Sequence, residues 1–150
     1  MRIIIILIGF FITSVNAQIQ DSVFFELNDF RIHIPKDYKL NKTKKSETTL
    51  INEKSEEILV AISKQTNLRD LDSSLKKIVT SGNQYLSWKL LDPLEKDVFV
   101  ATIMKGPKGV MGYRAAFYFK NKIIIITTFS RTFKEALSKL LGMIIDIKAQ

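Results

Sequence analysis

The chain predicts an α+β fold: a mainly antiparallel sheet covered by helices, closed by a long C-terminal helix. Three observations carry this. Short alternating apolar runs recur between turn-forming dipeptides, which is the pattern of antiparallel hairpins. Two stretches instead place apolar residues three and four apart, the helical period. One strand-length run, "IIIITTF", does not alternate at all, so both its faces need cover.

The elements follow in order. Arg2 precedes an almost unbroken apolar run from Ile3 to Ile12, and Thr13, Ser14, Val15, Asn16 and Ala17 follow. Charge, apolar stretch and small residues in that order mark a secretory signal peptide. Val15-x-Ala17 fits the cleavage pattern, so the expected cut lies between Ala17 and Gln18 and leaves residues 18–150 as one domain. The apolar run is too short for a membrane-spanning helix, which needs about 20 residues, so no permanent membrane span is expected. The implied location is the periplasm or the exterior of a bacterium. Asn41-Lys42-Thr43 is a glycosylation sequon that would matter only in a eukaryotic secreted protein.

"VFFELNDFRIHIP" reads as two strands around Asn28-Asp29, a dipeptide suited to a turn. Phe30, Ile32 and Ile34 alternate with Arg31 and His33, and Pro35 ends the strand. "KDYKLNKTKKSE" is polar and reads as loop. "TTLINEKSEEILVAIS" reads as a hairpin with its charged stretch, Asn52 to Glu57, at the bend. In "TNLRDLDSSLKKIVTSGN", Leu68, Leu71, Leu75, Ile78 and Val79 make a helical stripe. Asn67 is placed to cap it, Asp70 and Asp72 suit its positive end, Lys76 and Lys77 its negative end, and Gly82 its stop.

Strands then dominate: "YLSWKLL" up to Asp92-Pro93, "DVFVATIMK" up to the Gly106–Gly109 turn, and "YRAAFYF" up to Lys120-Asn121-Lys122. The isoleucine run Ile123–Ile126 comes next and is expected at the centre of the sheet, because four β-branched residues favour a strand. Finally Thr132 and Glu135 form a capping box. Phe133, Ala136, Leu137, Leu140, Leu141, Ile144 and Ile145 offer the closing helix a broad apolar face.

The opening strand, through Phe30, Ile32, Pro35 and Tyr38 of "FRIHIPKDYKL", resembles the first strand of the PsbP-like, Mog-like and DcrB-like superfamily. "TFKEALSKLLGMIIDI" is similar to that group's closing helix. The resemblance covers about residues 24–147 and implies an α/β/α sandwich with an antiparallel sheet. Members of that group bind other molecules and share no reaction.

Composition narrows the chemistry. Of 150 residues, 46% are hydrophobic and 25% charged, with 23 Lys+Arg against 15 Asp+Glu for a formal charge of +8. Such a balance can attract an anionic surface or an acidic protein, although scattered lysines also simply coat soluble domains. Cysteine is absent, which excludes thiol catalysis, cysteine-bound zinc, iron–sulfur clusters and lipoprotein attachment. The one histidine, His33, is the only candidate for a triad's base, and its place on an alternating strand reads instead as an ordinary residue facing solvent or a partner; no transition-metal site or other cofactor is expected.

Glu56-Glu57, Asp70/Asp72 and Glu95/Asp97 read as solvated pairs rather than an acid–base couple. "KGPKGVMGY" lacks the Gly-Lys-Ser/Thr of a phosphate loop and reads as a hairpin turn. Leu86, Trp88 and Leu90 are expected to share a core-facing side. Tyr113, Ala115, Phe117 and Phe119 should line the core as well, which argues against a nucleic-acid platform, and an exported protein rarely meets nucleic acid.

The functional expectation is an exported, non-enzymatic envelope protein that binds a protein or another envelope component. The contact residues open to it are Trp88, His33, Lys105 and Lys108. The alternative is a small-ligand or lipid carrier with a pocket between sheet and helix.

Overall fold

The computed structural model describes residues 24–64, 70–81, 85–91, 97–105 and 110–150. The expected signal peptide with its Ala17–Gln18 cut, the Asn67 cap, the Gly82 stop, Asp92-Pro93, Glu95 and the Gly106–Gly109 turn with Lys108 lie outside these residues.

Strands β1 (Phe24–Leu27) and β2 (Phe30–His33) form a separate two-stranded antiparallel sheet. Their turn residues Asn28 and Asp29 both have positive φ, 50° and 72°. That is the backbone of a two-residue hairpin turn whose twist suits the flanking strands. Lys122 fastens this turn to the main sheet, donating to the Asn28 carbonyl at 2.6 Å and to Asp29 Oδ2 at 2.8 Å.

The main sheet comprises β3 (Tyr38–Lys44), β4 (Glu47–Asn52), β5 (Glu57–Lys64), β6 (Tyr85–Leu90), β7 (Val98–Lys105), β8 (Val110–Phe119) and β9 (Lys122–Phe129). Its order is β3-β4-β5-β9-β8-β7-β6, and every pairing is antiparallel. Two meanders therefore meet along β5 and β9, and the isoleucine strand is the fourth of seven.

Helix α1 (Leu71–Val79) connects β5 to β6, and helix α2 (Phe133–Lys148) closes the chain. Asp70 caps α1 by accepting from the Ser73 amide. Thr132 caps α2 by accepting from the Glu135 amide at 3.2 Å.

The alternation of β9 divides the core in two. Ile124 and Ile126 are fully buried in a cluster with Val60, Ile62, Ala115 and Phe117, against Ala136, Leu140, Met143, Ile144 and Ile147 of α2. Leu27, Phe30 and Ile32 of the hairpin close the same cluster. Ile123 and Ile125 belong to a second cluster with Phe99, Ala101 and Ala116, against Leu75 and Val79 of α1. Tyr113, Ala115, Phe117 and Phe119 join the first cluster, as their alternation requires.

Three sequence expectations fail here. Residues 38–44 form a strand rather than a loop. Only Tyr38 of that strand is buried, so it has no apolar alternation to reveal it, and the ladder to β4 sets it as a strand. Leu90 is exposed, because it sits on the outermost strand, β6. The apolar face of α2 is rotated from the expected one: Phe133 and Ile145 are exposed, while Met143 and Ile147 are buried. The buried set 136, 140, 143, 144 and 147 keeps the three–four spacing, and Ile145 points about 155° away from the centre of that face.

Close packing at the start of β8 gives a testable consequence. A Cβ added at Gly112 would collide with the Thr128 carbonyl oxygen and the Phe129 ring, across from it on β9. The backbone oxygen cannot move without breaking the ladder. Gly112→Ala is expected to cost about 2–3 kcal/mol of stability, measured by urea unfolding, whereas Gly142→Ala, with open space around it, should be neutral or slightly stabilising.

Candidate functional site

The β4–β5 turn is built around one side chain. Asn52 Oδ1 accepts from the amides of Lys54 (3.0 Å) and Glu56 (2.9 Å), and its backbone carbonyl accepts from the Ser55 amide (3.0 Å). Ser55 adopts positive φ, 60°. This tight, asparagine-held turn carries Glu56 inward, and the residue is only 6% exposed. The sequence reading of Glu56 as a solvated bend residue is therefore corrected. Glu56 keeps the parity of Ile58, Val60 and Ile62, all buried on one face of β5. That parity was the signal in the sequence.

Glu56 meets a lysine from the far end of the chain. Lys139, in the second turn of α2, donates to Glu56 Oε2 at 2.8 Å, to Tyr38 Oη at 2.8 Å and to Ser130 Oγ at 3.0 Å. Asn52 Nδ2 donates to the same Glu56 oxygen at 2.8 Å, and the Arg131 amide donates to Glu56 Oε1 at 3.1 Å. One ion pair thus ties β3, β4, the β4–β5 turn, the end of β9 and α2 together.

The electrostatics follow from these contacts. Burial alone would raise the Glu56 pKa. The hydrogen bonds from Lys139, the Arg131 amide and Asn52, with the lysine charge, outweigh it and hold the carboxyl at about 2. Burial would lower the Lys139 pKa, but its bonds and charge interactions with Glu56 and Tyr38 raise it instead. Burial raises the Tyr38 pKa. A general acid or base works best with a pKa near the working pH, and these three groups are all driven away from neutrality. The chemistry of the cluster is that of a clamp.

A cleft of about 430 Å³ opens beside the clamp, lined by Lys54, Ser55, Glu56, Val110, Met111, Phe129, Ser130 and Arg131. The Lys54 and Arg131 side chains are exposed and have no ion pair among the described residues. The cleft lies at the end of the sheet, where the β4–β5 turn meets the start of β8 and the end of β9.

A second feature lies on the outer strand. A β-bulge between Leu40 and Lys42 resets the side-chain alternation of β3. Lys39, Lys42 and Lys44 consequently lie opposite Ile51, Thr49 and Glu47, all on one face, and all three lysines are exposed. Regular alternation would have put Lys39 and Lys42 on opposite faces. The outer edge of β3 is unpaired among the described residues.

The residues singled out from sequence do not converge. His33 is half-buried, its ring stacked on Phe24 at 4.4 Å and its Nδ1 3.4 Å from Asp146 Oδ2. It fastens the β1–β2 hairpin to α2, as does Gln150, whose side chain bonds the amide and the carbonyl of Arg31. Trp88 pairs in register with Ile103 on the outermost strand, and Lys105 pairs with Val110, which lines the cleft. The side chains of Trp88 and Lys105, like the whole of Lys108, lie outside the described residues. Among the described residues no helix is long and apolar enough to cross a membrane, and no group of three His, Asp or Glu side chains could hold a metal ion.

No protein-family model matches the chain, and no curated protein matches it.

The clamp gives a pH signature. A carboxyl held at about 2 in the fold but at its ordinary 4.5 when unfolded stabilises the protein above the unfolded value. That contribution should fade as pH falls from about 4.5 to about 2. Glu56→Gln leaves Lys139 without its counter-charge and should cost about 3 kcal/mol at pH 7. The variant should also show a flatter loss of stability over the acid range, measured by urea unfolding at each pH.

Proposed function

We propose that the protein is an exported, non-enzymatic component of the bacterial envelope, secreted or periplasmic after cleavage at Ala17–Gln18, that acts by binding an acidic partner protein. The fold on this reading is an α/β/α sandwich of the PsbP-like, Mog-like and DcrB-like kind. The division of the isoleucine strand between one cluster with α1 and another with α2 supports that architecture.

The observation that carries the functional reading is the lysine face of β3. Three cations on one face of an unpaired outer strand form a local positive field that steers acidic surfaces. Lysines on an edge strand also discourage indiscriminate pairing with other strands, so a partner able to use this edge has to bring opposite charge. Cleavage removes Arg2 and leaves 22 Lys+Arg against 15 Asp+Glu, and this charge of +7 acts in the same direction at longer range.

The test is a cross-linked pull-down of the tagged protein from its native envelope, compared with Lys39→Gln/Lys42→Gln/Lys44→Gln. These side chains are exposed, so the triple variant should unfold within about 0.5 kcal/mol per substitution of the parent. The expected result is an acidic protein recovered with the parent, weakened by added salt and lost with the variant. Equal recovery by the variant would contradict the reading.

A further inference from the structure

The cleft beside the clamp goes beyond that reading, since it is a different site with a different kind of ligand. Its volume, about 430 Å³, lies within the range of small-molecule sites. One wall is apolar: the Phe129 ring, Met111 and Val110, the last 46% exposed at the start of β8. An exposed β-branched residue on the wall of a cleft gains from being covered. The mouth is cationic, with Lys54 and Arg131 on neighbouring segments and neither in an ion pair among the described residues.

The one carboxylate in the lining does not cancel those charges. Both oxygens of Glu56 already accept hydrogen bonds, and Lys139 balances its charge. Ser130, only 5% exposed, supplies a further donor. Its oxygen accepts from Lys139, which leaves its own hydroxyl proton without an acceptor among the described residues. A buried donor of this kind wants an acceptor, and an anionic oxygen is the strongest one available.

We propose that this cleft binds a single-chain amphiphile whose head is one anionic oxygen group, a carboxylate or a phosphate monoester. The head meets Arg131, Lys54 and the Ser130 hydroxyl, and the chain lies along Val110, Met111 and Phe129. A guanidinium pairs with either head in a two-pronged geometry, so the two heads are separated by experiment.

The test is titration of the purified protein with decanoate, decyl phosphate and decanol, followed by amide NMR shifts and calorimetry. Expected is saturable binding of decanoate or decyl phosphate, with shifts at 54–56, 110–111 and 129–131. Affinity should exceed that of decanol about tenfold, the worth of one charge-assisted hydrogen bond. Lys54→Gln/Arg131→Gln should weaken the anion about tenfold or more and leave decanol unchanged. Ser130→Ala should weaken it less, and Lys77→Gln/Lys89→Gln, remote exposed lysines, should not change it. Which anion binds more tightly identifies the head. Decanol binding as tightly as both anions, shifts lying elsewhere, or equal weakening by the remote lysine variant would each overturn the proposal. So would failure of both anions to saturate.

Discussion

Four consecutive isoleucines in a strand have no solvent side, and this constraint organises the molecule. Ile124 and Ile126 are covered by α2, and Ile123 and Ile125 face the cluster of α1. Such a strand can only be interior, so β9 lies between β5 and β8, with three strands on each side of it. The rest of the fold is arranged around that demand. The C-terminal helix returns over the strand it has just left. The β1–β2 hairpin then closes the same cluster, held by Lys122 at its turn and by Gln150 along β2.

The strand also delivers the polar site. Its last residue, Phe129, is buried, and the next two, Ser130 and Arg131, turn toward the β4–β5 turn and into α2. Burying an ion pair is costly unless its remaining donors and acceptors are satisfied. Here Asn52, Tyr38, Ser130 and the Arg131 amide complete the set around Glu56 and Lys139. Charge is thus neutralised inside the clamp, while the cations at the cleft mouth and along β3 form no ion pair among the described residues. Those two places are where this protein meets other molecules on the reading proposed above.

Much of this was legible in sequence, for local reasons. The β1–β2 and β8–β9 turns carry asparagine at positive φ, and Thr132 and Glu135 mark the start of α2. The isoleucine run at 123–126 is marked as a strand by its flanks, a turn before it and a helix cap after it. What was not legible depends on distant partners. Strand β3 exists because β4 offers it a ladder, and nothing in KLNKTK announces that. The lysine face needs a bulge whose position only register reveals. Glu56 looked like half of a solvated pair, because the partner that draws it inward lies 83 positions away. The parity linking it to Ile58 and Val60 was visible, but a charged bend is normally an exposed one. The cleft is assembled from three segments separated in sequence, so no single motif could mark it.

Amide hydrogen exchange tests the organising role of β9 most directly. If burial of both faces makes it the centre of stability, the Ile124–Thr128 amides should exchange only through global unfolding. Their protection should match the free energy from denaturant titration, with β5 and β8 close behind and the solvent-facing β3 opening locally. The contrary result is faster exchange in β9 than in β3 or in the β1–β2 hairpin. That would mean the isoleucine strand is not what the fold is built on.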